Sequence, residues 1–492
     1  MANILGIFGF NPSGGSDVLL AVYGNDIVNV SSGAGYGQNY LSTNRAEFEA
    51  FLDKAWVVNN QSVFRFFDGS TWTKTGTQVR APRATYIKRF KNKLYLGIVT
   101  IQGTTYNSRV WYSDLPANDT LTWGFETQTN LQQAVGSNIV NSPGAQFKTY
   151  GIKVGDPLVI LTGPNAKTYF ISSVLSETQL SLTENLLVSD PADTYWVGGN
   201  WFDVNTNDND ILTGFGENSD RLLVFKKESL HRYDGNSLRR IKGSPGTTTQ
   251  RSVVTAGQYT YYFHNTGIYR TDAVTSQLIS RPVQEYIDGI TSTNFDDIVA
   301  WKLDEDVVRF FLGNISNSKT GFTLNRCILD YDIPSQTWSP GQLPFNVLCA
   351  TSWLESQARN LYLGTDQDEV YQDNTGNADG GTTPIPWNME TNWKFPYTTS
   401  VDTEFTRVQI FVRQGRNIKV RYKLYATPNA ISKEWLPLGD TKESFTELKI
   451  PMDSNRYGRG IKFLLSEYSA NEGPIVEKIV FFSRPRTART IQ

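Results

Sequence analysis

The stretch that decides the fold runs from Gly257 to Ile287 and reads GQYTYYFHNTGIYRTDAVTSQLISRPVQEYI. It holds seven aromatic side chains, counting His264, and six of them lie in two strand-like runs on either side of a turn of Asn, Thr and Gly. Aromatic side chains suit a pleated, half-buried surface, whereas Asn and Gly suit tight turns. The stretch therefore predicts antiparallel strands with much apolar surface to bury and few groups for catalysis.

Stretches of the same form recur along the chain, each with an apolar run, a turn and a strand that ends on an acidic residue. The acidic residues that mark them are Asp68, Asp114, Asp234, Asp272, Asp332 and Asp373. Their spacings of 46, 120, 38, 60 and 41 residues indicate a degenerate form of the period of about 40 to 50 residues that a propeller blade has, with one long interval. Small sheets with two apolar faces cover both faces by packing in a ring. We therefore expect an all-β fold with a β-propeller of about six blades.

The long interval contains a unit of its own, whose short alternating strands and Gly-containing turns predict a small inserted β-barrel. After residue 385 the strands become longer, and in KVRYKLYA the side chains of Val420, Tyr422 and Leu424 share one face. That pattern predicts a C-terminal antiparallel β-sandwich. The expected domains are the propeller in two parts, 1–137 and 200–385, the barrel, 138–199, and the sandwich, 386–492.

Two helices are expected to join blades. TNRAEFEAFLDKAW, residues 43–56, offers Asn44 as N-cap, Glu47 as its capping-box partner and one apolar face. A shorter helix is expected after Ser280 and Pro282, because Pro is favoured in the first turn of a helix.

Composition excludes several classes of protein. Forty-six basic and 48 acidic residues give a net charge of −2, so no global field attracts nucleic acid or an anionic membrane. Cys327 and Cys349 lie in apolar strand-like settings and are expected to be buried reduced thiols, since a disulfide-stapled secreted domain has more cysteines. The start resembles no signal peptide, and no apolar run approaches roughly 18 residues. We expect synthesis in a cytosol and no membrane anchor.

Residues suited to catalysis or metal binding are few. His231 and His264 lie in separate aromatic stretches without a second His at ligand spacing, which favours structural roles. A pair of acids that cleaves a sugar is one alternative role for the acidic clusters, but it is disfavoured because adjacent acids on a strand point to opposite faces. A Ca²⁺-binding loop in NTNDND is the other alternative. The acids in question are Asp208 and Asp210, Asp296 and Asp297, and Asp304 to Asp306. We predict solvated loop acids, no catalytic, cofactor-binding or metal-binding residue, and no cofactor.

Two further groups leave alternatives open. Three tryptophans are candidates for stacking on sugars, although packing at blade edges explains them more simply: Trp72, Trp123 and Trp338. The terminal SRPRTARTIQ is expected to be an exposed tail, with docking onto an acidic neighbour as the alternative. Its basic residues are Arg484, Arg486 and Arg489.

Three stretches together indicate a family. SVVTAGQYTYYFHNTGIYRTDAVTSQLISRPVQEYI, RLLVFKKESLHRYDG and RVWYSDLPANDTLTWG resemble blades of β-propeller proteins in the tails of short-tailed bacteriophages, namely the tail hub, nozzle or stabilisation proteins. The insertion beginning YGIKVGDPL, and the sandwich carrying WLPLGD and EGPIVEKIVFF, are similar to modules added to such virion proteins. The resemblance covers nearly the whole chain at the level of pattern.

The resemblance implies a structural virion protein and no enzyme. It implies a homo-oligomeric ring, expected to be a hexamer, around the channel through which genomic DNA leaves without specific binding. Expected partners are the portal or adaptor side of the tail and the tail fibres or tailspikes. The expected location is the virion tail, after synthesis in the cytoplasm of the bacterial host.

Two other functions stay open. A propeller that binds or cleaves carbohydrate, for recognition of a bacterial surface, is the main alternative. A cellular scaffold of the ordinary repeat-propeller kind is less favoured, because the sequence lacks regular Gly-His and Trp-Asp marks.

Overall fold

The structure of the protein is a computed structural model. The residues that it describes are 3–35, 44–61, 65–74, 82–101, 104–116, 121–161, 163–188, 190–206, 208–355, 358–373, 378–379, 383–384, 387–397, 401–414, 417–425, 435–441, 444–452, 456–467 and 475–485. The chain divides into two compact units, one ending at Asp373 and the other beginning at Asn374.

The first unit opens with three small antiparallel sheets, here called blades 1 to 3. Blade 1 consists of Ile4–Phe10 (β1), Val18–Tyr23 (β2) and Asp26–Asn29 (β3). Blade 2 consists of Glu47–Phe51 (β4), Lys54–Val58 (β5), Arg65–Phe67 (β6) and Trp72–Lys74 (β7). Blade 3 begins with Arg83–Phe90 (β8), Lys93–Ile101 (β9) and Thr104–Tyr112 (β10).

A closed six-stranded barrel follows β10. Its strands are Phe125–Gln133 (β11), Ile139–Asn141 (β12), Pro157–Ile160 (β13), Thr168–Val174 (β14), Gln179–Leu182 (β15) and Asp190–Gly198 (β16), ordered β11-β12-β15-β14-β13-β16. They enclose an apolar core that includes Leu158, Tyr169 and Tyr195. The first strand, β11, begins before residue 138, where the sequence-based boundary of the barrel lies. The sequence did not indicate this strand because FETQTNLQQ is more polar than a typical core strand.

The barrel is an insertion within blade 3. Phe125 pairs with Gly198, so the chain enters and leaves the barrel side by side. Trp201–Asp203 (β17) then pairs with β10 as the fourth strand of blade 3. The guanidinium of Arg109 fixes this strand, because its Nε lies 2.8 Å from Asp203 Oδ1 and its centre lies 3.6 Å from the ring centroid of Trp201.

Four more blades complete the first unit. Blade 4 consists of Leu212–Asn218 (β18), Arg221–Lys226 (β19), Leu230–Tyr233 (β20) and Leu238–Arg240 (β21). Blade 5 consists of Val254–Ala256 (β22), Tyr259–His264 (β23), Gly267–Thr271 (β24) and Ser276–Leu278 (β25). Blade 6 consists of Val299–Lys302 (β26), Val307–Asn317 (β27), Phe322–Asp332 (β28) and Thr337–Gln342 (β29). Blade 7 consists of Val347–Glu355 (β30), Ala358–Thr365 (β31) and Val370–Gln372 (β32).

The seven blades form a closed ring, because the first strand of each blade contacts the first strand of the next, and β30 of blade 7 contacts β1. Apolar clusters fill the spaces between blades, as where Phe263 and Ile268 of blade 5 share a core with Phe310 of blade 6. Gly9 permits the closing contact, since a Cβ there would lie 2.7 Å from the Cβ of Trp353 in blade 7. The β-propeller predicted from the sequence is therefore confirmed.

Within the described residues the ring has one blade more than the six or so expected. The marker acids sit where the third strand of a blade turns, as Asp234 shows by accepting hydrogen bonds from the backbone N–H groups of Asn236 and Ser237. Blade 1 ends at Asn29 without such an acid. The six markers therefore identify only blades 2 to 7.

The helix expected at residues 43–56 was wrong, since its described part is the β4–β5 hairpin. Leu52 and Asp53 both have positive φ angles, 52° and 54°, which suit the two-residue turns that match the twist of a hairpin. The shorter helix is confirmed. It comprises a 3₁₀ turn at Arg281–Val283 and an α-helix at Gln284–Asp288 (α1).

Two more 3₁₀ helices, Gln250–Ser252 and Ser292–Asp297, precede blades 5 and 6. In the part of the chain that the structure describes, no helix is long and apolar enough to cross a membrane.

The second unit is the expected β-sandwich. Its strands are Ala378–Asp379 (β33), Thr383–Pro384 (β34), Trp387–Glu390 (β35), Thr403–Gln414 (β36), Lys419–Tyr425 (β37), Leu436–Asp440 (β38), Phe445–Lys449 (β39), Tyr457–Gly458 (β40), Gly460–Glu467 (β41) and Ile475–Pro485 (β42). One sheet has the order β35-β41-β37-β38, and the other joins β39, β36, β40 and β42. Val420, Tyr422 and Leu424 face the shared core, as their alternation predicts.

Candidate functional site

The first strands of the blades surround a central cavity of about 1260 Å³. Residues from all seven blades line it, from Gly6–Gly9 in β1 to Ala350–Ser352 in β30. The first strands all begin at the same end of the cavity, called here the closed end, and all lead toward hairpins at the other, the hairpin end. The cavity is the candidate site, because a concave space with converging polar groups is where ligands bind.

Arg251 crosses the closed end. It lies in the 3₁₀ helix before blade 5, and its side chain is 7% exposed. Its guanidinium donates hydrogen bonds to the backbone oxygens of Leu5 and Leu348, each at 2.5 Å, and its Nε lies 3.2 Å from Glu47 Oε1. One side chain thus joins blades 1, 2 and 7 to the segment between blades 4 and 5.

A second arginine makes a similar connection across the closed end. Arg45, just before β4, donates to the backbone oxygen of Asp296 and forms an ion pair with the carboxylate of Asp297. The sequence pattern predicts that Asp296 and Asp297 are solvated loop residues, with a sugar-cleaving pair as the alternative. In the structure Asp297 instead helps to tie blade 2 to the segment before blade 6, although its side chain is 50% exposed.

Among the described residues that line the cavity are six carboxylates and four cationic side chains, a net charge of −2. Three of the cations are already paired, because Lys88 contacts Glu49 at 3.2 Å, Lys302 contacts Glu305 at 2.7 Å, and Arg251 contacts Glu47. An anionic ligand would have to compete with these carboxylates. The cavity is therefore better suited to a neutral or cationic ligand.

Aromatic and hydroxyl groups complete the lining. Trp301 of blade 6 donates from its indole Nε1 to Ser352 Oγ of blade 7 at 2.7 Å, which holds the ring against the cavity wall. Phe8 of blade 1 and Phe48 of blade 2 stack with ring centroids 5.5 Å apart and line another part of the wall. An aromatic face beside hydroxyl and carboxylate groups is an arrangement that binds polar rings.

Asp208 and Asp210 of the NTNDND segment are both engaged in contacts within the fold. Asp208 Oδ1 lies 2.5 Å from Nζ of Lys226, a side chain with no exposed surface. Burial alone would raise the pKa of Asp208, but the hydrogen bond and positive charge of Lys226 together with backbone N–H groups, such as that of Asp210, outweigh burial, and the pKa is lowered. Asp210 accepts hydrogen bonds from Ser229 Oγ and from the backbone N–H of Glu228. Among the described residues, no group of three or more His, Cys, Asp or Glu could hold a metal ion.

The third acidic group considered from the sequence, Asp304 to Asp306, lies at the hairpin end. Asp304 caps the β26–β27 turn by accepting hydrogen bonds from the backbone N–H groups of Asp306 and Val307, both at 2.8 Å. Asp304 and Glu305 line the cavity mouth, so this group does face the candidate site.

The two histidines and the two cysteines are buried. Burial lowers the pKa of His231 to about 4, and it also lowers that of His264, whose Nε2 is 3.5 Å from Glu228. Cys327 and Cys349 are free thiols, and burial raises their pKa values to about 12 and about 11. Thiols of such high pKa are poor nucleophiles at neutral pH.

The three candidate tryptophans pack within the fold. Trp123 is 1% exposed, the indole Nε1 of Trp338 donates to the backbone oxygen of Ile279, and the ring of Trp72 stacks on Phe67 at 5.1 Å. Among the tail arginines, Arg484 Nε contacts Glu404 Oε2 of β36 at 2.6 Å. Arg486 and Arg489 lie outside the described residues.

Sequence reasoning missed the residues that shape the cavity. Arg251 lies in SPGTTTQRS, a polar segment that is typical of an exposed loop, yet Ser244, Thr247 and Ser252 of this segment are all buried. Trp301 and Ser352 belong to different blades. No local sequence pattern predicts the contacts of Arg251 or the hydrogen bond between Trp301 and Ser352.

Solved structures to which this chain is similar include an endosialidase, BamB and a sialidase. The phage phi92 endosialidase is 12% identical with a TM-score of 0.23, and the match covers 74% of this chain but only half of the endosialidase. BamB from Moraxella catarrhalis is 12% identical with a TM-score of 0.31, and 75% and 84% of the two chains are covered. The Trypanosoma rangeli sialidase in complex with the inhibitor DANA is 9% identical with a TM-score of 0.31, and 98% and 94% are covered.

Similarity at this level carries no argument about function, and the fold rests on the ring of sheets itself. The sequence matches no protein-family model and no curated protein.

Replacing Arg251 by Met is expected to lower the stability of the propeller by about 3 kcal/mol, because Glu47 loses its ion pair and the carbonyl groups of Leu5 and Leu348 lose the hydrogen bonds that Arg251 donates inside the ring. The measurement is urea unfolding followed by tryptophan fluorescence. Arg359→Met, at the exposed mouth of the same cavity, is the matched control and should unfold at nearly the wild-type urea concentration. Equal midpoints for both variants would contradict the role given to Arg251.

His231 predicts a dependence of stability on pH. Its folded pKa of about 4 is below the ordinary 6.5, so its contribution is fully present above pH 6.5 and is lost as the pH falls toward 4. The loss approaches about 3 kcal/mol at the acid end. His231→Gln should have a flatter profile of urea midpoint against pH across this window. A variant with the wild-type slope would show that His231 is not the titrating group.

Proposed function

We propose that the chain is a non-enzymatic assembly protein of a bacteriophage tail, at the hub or nozzle. The observation that carries the assembly role is where exposed apolar side chains lie. Sixteen large apolar residues of the described chain are exposed, and eight of them fall in the inserted barrel between Val135 and Val188. A concentration of exposed apolar surface marks a site of protein contact. The location in a phage tail is inferred from the resemblance of the sequence to tail hub, nozzle or stabilisation proteins.

The closed end of the cavity supports the same proposal. Arg251 and the Arg45–Asp297 pair cross that end, so a single propeller is poorly suited to pass a nucleic acid along its axis. The net charge of −2 on the cavity lining also opposes entry of phosphate groups. In the proposed assembly the DNA channel therefore runs between several copies of the chain, and portal-side proteins and tail fibres or tailspikes bind their outer surfaces.

Particle labelling tests this function. Gold-labelled antibodies raised against the purified protein should bind one end of the phage tail in electron micrographs. A variant in which a short Gly-Ser linker replaces residues 125–198 should keep its propeller fold, because Phe125 and Gly198 are paired neighbours. It should be incorporated at least ten-fold less than the wild type, since the barrel carries the exposed apolar residues. Particles that never bind the antibody would overturn the proposal.

A second candidate function is binding of a neutral carbohydrate in the central cavity. The observation that favours it is the indole ring of Trp301, which is fixed by Ser352 beside hydroxyl and carboxylate groups of the wall. Sialic acid and other anionic sugars fit less well, because Glu47, Glu49 and Glu305 each occupy one of the cations of the cavity. Cleavage is not part of this candidate.

A glycan array tests the second candidate. Neutral glycans should bind and sialylated glycans should not, and Trp301→Ala should weaken binding about five-fold or more, as loss of ring stacking is worth about 1 to 3 kcal/mol. Trp338→Ala, in the same blade but away from the cavity lining, is the control. Binding that survives Trp301→Ala would exclude the cavity as the site.

A further inference from the structure

One sheet of the sandwich has a basic outer face. Strand β37 turns its apolar side chains into the core, so the residues between them point outward. Three of these are cations two residues apart, with about 7 Å between neighbours along the strand. A fourth cation, on β41, lies on the same side and directly opposite the last of them. These four residues are called the basic face: Lys419, Arg421, Lys423 and Lys462.

Acidic side chains balance the charge at the two edges of this sheet. Asp440 of β38 lies opposite Lys419, and Glu390 of β35 forms an ion pair with Lys462. Strands β35 and β38 are the edge strands, whereas the four cations lie on the two central strands, β37 and β41. The positive charge that the acids leave over is therefore concentrated at the centre of the face.

The central cations have no acidic neighbour across the strands. Within the described part of the chain, Arg421 lies between Pro437 and Leu464, and Lys423 lies opposite Lys462. Like charges directly opposite each other on paired strands are destabilising. An anion bound beside Arg421 and Lys423 would offset this repulsion. The basic face is therefore suited to an anionic ligand.

Two half-buried tryptophans flank the same cations. The Nζ of Lys423 lies 4.8 Å from the ring centroid of Trp435, which precedes β38. The Nζ of Lys462 lies 5.1 Å from the ring centroid of Trp435 and 5.2 Å from that of Trp393, which follows β35. Cation–π attraction holds each ammonium group beside a ring. An aromatic ring next to a fixed cation suits an acidic sugar, which presents both a ring of C–H groups and a carboxylate.

The amount of charge distinguishes between classes of anionic partner. A nucleic acid carries a phosphate on every nucleotide and gains its affinity from many contacts with Lys and Arg. An anionic membrane is bound by clusters of about four to eight such residues. The basic face has two cations without an acidic partner among the described residues, which is too few for either class. An acidic polysaccharide needs fewer ion pairs, because its sugar rings also contact the tryptophans.

We propose that the basic face binds an acidic polysaccharide. Arg421 and Lys423 pair with its carboxylate groups, and Trp435 packs against a sugar ring. The site lies in the second unit and shares no residue with the central cavity of the first, so it goes beyond the proposed tail function. A single terminal acidic sugar reaches only one of two cations that are about 7 Å apart. Binding therefore requires repeated charges, and short sialylated glycans are not retained.

Binding of the full chain to immobilised polysaccharides tests the site. The wild type should bind alginate or hyaluronate, which are acidic, but not dextran, which is neutral. Arg421→Gln combined with Lys423→Gln, called the face variant, should weaken binding at least ten-fold, because it removes both central cations. The matched control is Arg413→Gln combined with Lys478→Gln. It removes the same charge from exposed residues of the other sheet and should bind as the wild type does.

Two tryptophan variants locate the contact with the sugar. Trp435→Ala should weaken binding about five-fold or more, because the packing of a sugar against the ring is lost. Trp301→Ala, in the central cavity, should leave binding to the acidic polysaccharides unchanged. The face variant changes exposed or half-exposed residues and tests the site even if Trp435→Ala folds poorly.

Failure of the wild type to bind either acidic polysaccharide would overturn the proposal. Equal binding by the wild type and the face variant would do so too, as would an equal loss in the control pair. Tighter binding to single-stranded oligothymidine than to either polysaccharide would assign the face to nucleic acid. Flotation with phosphatidylglycerol vesicles that the face variant loses would assign it to lipid, and both results also contradict the proposal. Antibody labelling of tails without polysaccharide binding would leave the tail function standing.

Discussion

Every small sheet in the propeller has two apolar faces, and the need to cover both is the constraint on which the fold depends. Each cluster between blades draws on two neighbours, as Phe10 of blade 1 and Phe67 of blade 2 show. The last two faces are covered only where β1 meets β30. At the closed end Arg251 donates hydrogen bonds to the backbone oxygens of Leu5 and Leu348, and Arg45 donates to that of Asp296, as expected where carbonyl groups meet inside a fold.

Much of this architecture could be predicted from local patterns. Aromatic strands and acidic residues identified blades 2 to 7, because an Asp lies at the end of the third strand of each of these blades and caps the following turn in blades 2, 4, 5 and 6. Blade 1 was not counted because its cap is the amide of Asn29, which accepts from the backbone N–H groups of Ser31 and Ser32. The helix predicted at residues 43–56 was wrong because the spacing of the apolar residues there fits a helix as well as a hairpin. Only the positive φ angles of Leu52 and Asp53 distinguish the two, and sequence patterns do not reveal them.

The candidate site was far less accessible to sequence reasoning. Its wall takes a few residues from each of seven blades, so ring closure, and no local motif, brings Trp301 beside Ser352 and Glu47 beside Arg251. Paired acids and histidine ligands are recognised in a sequence by their spacing along the chain. The contacts that form the cavity wall instead join residues of different blades. Buried polar segments such as 244–252 are also indistinguishable from surface loops until the ring is known.

The insertion point of the barrel has an evolutionary consequence. Strands β10 and β17 form the same ladder whatever stands between them, because the two ends of the inserted segment leave blade 3 next to each other. Exchange of the barrel for a domain of another size at this position would therefore leave the register of the blade unchanged. The fourth strand of blade 3 is in this sense a fixed attachment point, whose pairing with β10 is independent of what the chain inserts ahead of it.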